Sequence, residues 1–225
     1  MGMTPPSTQD EPDTDTDPLT LLAGPGDDGR RPLLALDRQF ASIRASTTEP
    51  LIGQMRLLWW HDALAALDTA PAPAVPILQD LQRHVLPCGV TGARLAEWSD
   101  LWEALIDPTI DEPERLAIIN RRGALLFDAL AVMHGATAPG IAVAGACWSL
   151  ADAARWSDAT PSQQDARGAA ARARWRAALA EPWPRAARPF LLVAHAALTD
   201  TRGAAAALRT AGFMLTGRTA LFGAR

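Results

Sequence analysis

TEPLIGQMRLLWWHDALAALD, residues 48–68, is the stretch on which the reading of the fold turns. Thr48 has the side-chain oxygen of a helix cap, and Pro50 suits a first turn, where its missing N–H costs nothing. The segment then runs for about five turns with Gly53 as its one weak point. At about 100° per residue, Gln54, His61 and Asp68 fall on one side, the expected wet face. Ile52, Trp59, Trp60, Ala63 and Leu67 fall on the other, with Arg56 in their midst. A guanidinium stays charged at any ordinary pH, so an arginine on an apolar face has three outlets. Arg56 can snorkel over the Trp60 indole, pair with an aspartate of another helix, or receive an anion. A helix carrying paired tryptophans on one face is expected to be central to an all-α core.

The rest of the composition agrees. Of 225 residues, 48% are hydrophobic, alanine is abundant and β-branched runs are few, which favours helix over sheet. No internal linker is long enough to separate two units, so one domain is expected over residues 30–225, after an acidic, proline-rich tail over residues 1–29 that reads as disordered. In that tail Asp13, Asp15 and Asp17 alternate as in a calcium loop, but Pro18 replaces the turn glycine and Gly24 the closing glutamate. The basic residues are all arginine, and the net charge of −4 supplies no field to attract nucleic acid. Cys88 and Cys147 lack CxxC spacing, no run approaches ~18 apolar residues, and the acidic start is unlike a signal peptide. A reduced, cytoplasmic protein is the expectation.

Breakers and caps divide the chain into eight or nine helices. The first spans about 32–45, with Leu33, Leu36, Phe40 and Ile43 in register. TAPAPAVP after Asp68 is a stiff connection, and Pro76 opens a short helix closed by Pro87. Thr91 caps a helix with Leu95, Trp98, Trp102 and Leu105 on one stripe. Asp111-Glu-Pro-Glu114 reads as a capping box for a long helix stopped by Gly135. Residues 140–157 form a small-residue helix in which Gly145 permits close approach of a neighbour, and Thr160-Pro-Ser-Gln163 is a second capping box. Two helices near 186–198 and 202–216 complete the chain.

With the helices laid out, EPLIGQMRLLWWHDAL at 49–64 resembles a signature of the squalene/phytoene synthase family. RRGALLFDALAVMHG at 121–135 and AGACWSLADAARW at 144–156 resemble the next two family blocks, in order. The resemblance covers roughly residues 30–220 and implies an isoprenoid-synthase-like helical bundle around a cavity. Active members join two prenyl diphosphates, using two D-x-x-x-D motifs on facing helices. Aspartates at i and i+4 share a helix face, and such pairs hold the Mg²⁺ that stabilises the leaving pyrophosphate.

This chain departs from the pattern at both places. Asp37 stands in the first motif position, but Ala41 follows four residues on. Asp152 stands in the second, and Trp156 occupies its partner's place. A literal D-x-x-x-D at Asp107 and Asp111 contains Pro108 and falls in a loop. The resemblance thus implies Asp37 and Asp152 as remnant metal positions and Arg56, Trp60 and Trp156 as cavity residues. It also implies a non-catalytic binding or assembly protein, as in the branch with lost aspartates associated with respiratory complex I assembly. Its partners would be membrane-complex subunits or an apolar ligand, with no cofactor. The alternative is a prenyl diphosphate transferase with an altered Mg²⁺ site.

The remaining residues add little chemistry. His61, His84, His134 and His195 are unpaired at metal spacing and read as surface or capping residues, and neither GxSxG nor a phosphate loop occurs. Asp37, Asp128 and Asp152 are the candidate partners for Arg56, and Asp128 also shares a face with Arg121. The segment 166–189 carries Arg167, Arg172, Arg174, Arg176, Arg185 and Arg188 with Trp175 and Trp183 interleaved. It reads as a solvated helix face or as a peripheral contact with the inner, anionic membrane surface.

Overall fold

Side-chain caps set where several of the helices begin. In a computed structural model, which describes Leu19, Leu22, residues 29–199 and residues 204–222, nine α-helices form and no strand occurs among the described residues. They are α1 (Arg31–Ser46), α2 (Pro50–Ala66), α3 (Pro76–Asp80), α4 (Gly92–Ala104), α5 (Glu112–His134), α6 (Gly140–Ala153), α7 (Pro161–Ala180), α8 (Arg188–Leu198) and α9 (Ala204–Thr216). A π turn, Leu81–Val85, prolongs α3. The Thr91 hydroxyl accepts the Arg94 N–H at 3.1 Å, and Asp111 accepts that of Glu114 at 2.8 Å. Thr160 and Gln163 form the reciprocal box, and Gly135 closes α5 at φ 60°. Glu49 rather than Thr48 is the N-cap residue of α2, without a side-chain bond.

The central element is α6, not α2. Nearly all of α6 is buried, as a helix that is apolar all round must be, and α5, α7 and α8 pack about it. On its α5 side Gly145 faces Gly123, and a Cβ on either would overlap the other's backbone carbonyl. The two helices therefore cross backbone to backbone, a separation that only glycine allows. From α5 the packing continues through α4 to α2, which lies at the edge; α1 lies against α2, α4 and the α3 turn, and α9 against α8.

The buried side of α2 is Gly53, Leu57, Trp60, Leu64 and Leu67. This corrects the expected face: Trp60 and Leu67 are inside, whereas Ile52 and Trp59 are half exposed. Asp68, expected simply to be wet, caps α4 by accepting the N–H groups of Gly92 and Ala93 at 2.6 and 2.9 Å. The residue 1–29 tail lies outside the described residues except for Gly29, Leu19 and Leu22. The two leucines are buried in the core, and the Leu22 carbonyl lies 3.1 Å from His134 Nε2.

Candidate functional site

The buried cation is Arg122. It lies on the inward face of α5, between Ile119 and Leu126, and is 1% exposed. Its Nε and Nη2 donate to the two carboxylate oxygens of Asp37 on α1, at 3.1 and 2.7 Å. Its Nη1 donates to Asp152 Oδ2 at 3.0 Å and to the Ser149 hydroxyl at 3.2 Å, both on α6. The indole of Trp156 donates to the same Asp152 oxygen at 3.3 Å. Trp102 and Trp148 present their rings to the guanidinium carbon at 4.3 and 4.8 Å. Burial alone would lower the affinity of Arg122 for its proton, but Asp37 and Asp152 more than offset it and hold the pKa above the usual value. The bidentate geometry is what makes a buried guanidinium tolerable.

The structure thus gathers Asp37, Asp152 and Trp156 in one place, around an arginine that the motif reading missed. Both oxygens of Asp37 and one of Asp152 are engaged by Arg122, an arrangement that does not fit a divalent cation. Among the described residues no group of three or more His, Cys, Asp or Glu side chains is placed to hold one. Cys147, one turn from the centre, is buried, and burial pushes its thiol up to about 12, so no thiolate is at hand.

Trp156 takes a position of its own. Arg44 lies over its ring at 3.8 Å and binds Asp158 through two bonds of 2.6 and 2.8 Å, with Arg122 and Arg167 at 6.0 and 5.5 Å from the ring centre. Its ring also stacks on Trp102. Trp60 is elsewhere, edge to face with Phe40.

Arg56 is exposed and does not join this centre. Of the outlets foreseen for it, pairing with an aspartate of another helix is not taken among the described residues; its side chain reaches solvent, because the face of α2 on which it borders points outward. Asp128 pairs with Arg94 at 3.4 Å and so serves neither Arg56 nor Arg121, which pairs with Glu97. The signal for Arg122 was available in principle. It stands three residues after Ile119 and four before Leu126, on the apolar stripe of α5.

The outer side of α2 is the second unusual surface. Leu51, Ile52, Met55, Leu58 and Trp59, at helical spacing on one face, are 68, 52, 63, 52 and 48% exposed. They are opposite the buried side, so α2 is apolar on two faces with only one covered. Along its rim His61 Nδ1 meets Asp100 of α4 at 2.6 Å, and Glu103 stands beside them. Burial, then the neighbouring Asp100, raises the Glu103 carboxyl above its usual range. Glu49 and Asp62 are exposed on α2 itself.

The Arg-rich segment does not form the interleaved face its sequence suggests. Trp183 is buried and donates to the Ala178 carbonyl at 2.9 Å, and Arg167 is buried against Glu112 and the Ala153 carbonyl. His195, expected at the surface, is 8% exposed. No described helix is long and apolar enough to cross a membrane. No family model, curated protein or solved structure matches the chain.

Proposed function

We propose that this chain is a non-catalytic helical protein that works by docking another protein along the outer face of α2. The reading extends the resemblance to the aspartate-poor branch of the squalene/phytoene synthases. The observation that carries it is the pair of acids, Asp37 and Asp152, closed upon Arg122, which leaves the remnant motif positions without free carboxylates for a metal–diphosphate. The alternative, a prenyl diphosphate transferase, requires that ion pair to open.

The α2 face suits an amphipathic helix with a basic flank. Five large apolar side chains supply a stripe for its i, i+3, i+4 and i+7 anchors. Asp62, which continues the stripe after Leu58, and Asp100 and Glu103 beside His61 outnumber Arg56 here, so the face favours lysine or arginine and opposes anionic lipid. The test is titration with two designed amphipathic peptides of equal hydrophobicity, one basic and one acidic, and with phosphatidylserine vesicles. Saturable binding of the basic peptide alone, lost in Met55→Glu and Leu58→Glu, is the expected result. Preference for the acidic peptide or the vesicles overturns it. A thermal shift with farnesyl diphosphate and millimolar Mg²⁺ would favour the transferase instead.

A further inference from the structure

A second concavity opens at the far end of the bundle, where α7, α8, α9 and the short turn Thr219–Phe222 meet. It has a volume of about 560 Å³ and is lined by Arg172, Trp175, His195, Arg209, Leu221 and Phe222, among others. That size falls in the range of about 300–1,000 Å³ of small-molecule sites. We propose that this pocket binds a small organic oxyanion, a carboxylate or phosphate monoester carried on a flat apolar body.

The walls define the body of the ligand. The Trp175 ring lies 5.3 Å from the imidazole of His195, and the Phe222 ring 4.7 Å from it on another side. Leu198 and Leu221 extend the apolar lining. Trp175 and Phe222 are themselves 5.6 Å apart, so the three rings pack into one aromatic wall, against which a planar ring or conjugated chain lies with little loss of conformational freedom.

The polar groups define its head. Arg172 and Arg209 are exposed at the pocket, on α7 and α9 respectively, and neither has a carboxylate partner among the described residues. Two guanidinium groups from different helices give a concentration of positive charge in a protein whose net charge is −4. His195 is more than nine-tenths buried, faces the same space, and its ring nitrogens make no hydrogen bond among the described residues. Neither nitrogen is an enclosed orphan; both reach the space of the pocket, where a ligand oxygen would take the place of water. Burial, and then the charge of Arg209, lowers its pKa and keeps it neutral, one nitrogen donating and the other accepting. The residues facing His195 are Arg172 and Trp175 of α7, Arg209 of α9, and Phe222. Among the described residues no acid lines the pocket.

This site is independent of the α2 face and of the Arg122 centre. It is tested by titrating the full chain with phenyl phosphate, benzoate and inorganic phosphate while following the His195 ring resonances by NMR. A saturable shift with either aromatic probe is expected. The His195 pKa should rise on binding, since the anion offsets Arg209. Inorganic phosphate should bind at least about tenfold more weakly, because it leaves the rings unstacked. Arg172→Gln and Arg209→Gln should each weaken binding by about tenfold or more while leaving the melting transition in place, both side chains being exposed. No saturable shift up to ~10 mM of either aromatic probe, or affinity indifferent to both substitutions, overturns the proposal. So does inorganic phosphate binding as tightly as phenyl phosphate.

Discussion

The inner face of α5 and the outer face of α2 depart from ordinary helix packing in opposite senses. Arg122 brings a charge into the core and finds an acceptor or acid for every arm of its guanidinium. The α2 face brings apolar surface into water and finds no cover among the described residues. One place is polar where apolar is expected, and closed; the other is apolar where polar is expected, and open. The difference teaches where activity is to be sought. A satisfied ion cluster has little reason to exchange its partners for a ligand, whereas an uncovered hydrophobic stripe gains free energy from any fitting neighbour.

The comparison breaks most readily at Arg122. Arg122→Met removes the guanidinium that holds both oxygens of Asp37, itself 5% exposed, and a loss of about 3–5 kcal/mol by urea denaturation is expected. Adding Asp37→Leu should restore most of it, since replacing a buried pair by apolar residues is often neutral. Gly145→Ala comes next. Its methyl must part α5 from α6, at a cost of about 1–3 kcal/mol or more. Trp156→Asp loses a stack on Trp102 and the contacts with Arg44 and Arg122, about 1–2 kcal/mol. Set among three arginines, the new carboxylate should confer no Mg²⁺ affinity by calorimetry; a measurable affinity would show the acids are less committed than their geometry implies.

Leu58→Glu and Met55→Glu mark the other pole. Stability should change by no more than about 0.5 kcal/mol, or even rise, because both side chains are already in water. A large loss would mean that the face is covered in the free protein. The smallest effect concerns pH. An imidazole ordinarily titrates near 6.5, and in the fold burial and then Arg209 lower His195 below that value. Between the two values the unfolded chain binds more protons, so stability declines as pH falls below 6.5 and levels off once the folded ring is charged. The urea midpoint should show this acid slope in the native chain and a shallower one in His195→Gln.

Much of the architecture is written locally. Thr91, Asp111, Thr160 and Gly135 mark their helix ends by short-range hydrogen bonding or backbone geometry, so the divisions of the chain follow from neighbouring letters. The rotational setting of α2 is not local. Gly53, Leu57, Trp60, Leu64 and Leu67 form one apolar stripe and Leu51, Ile52, Met55, Leu58 and Trp59 another, and α4 decides which is buried. The tryptophan pair therefore pointed to the wrong centre of the molecule, and to the wrong arginine. Asp37 and Asp152 were singled out by position in a motif, and they do converge. Their shared partner required comparing Arg121 with Arg122, adjacent residues of which one reaches Glu97 at the surface and one enters the core. The His195 pocket depends on how the successive helices α7, α8 and α9 turn against one another, and a lone histidine gave no hint of it.

The paired glycines of α5 and α6 set a tolerance on more than shape. Arg122 is the residue before Gly123, and Ser149 is one turn after Gly145, so the distance across which the guanidinium reaches is fixed by the absence of two methyl groups. A carbon atom added there acts first as steric strain, but its larger effect is electrical. It would stretch the bonds from Arg122 to Ser149 and Asp152 together, turning a packing fault into an uncompensated charge.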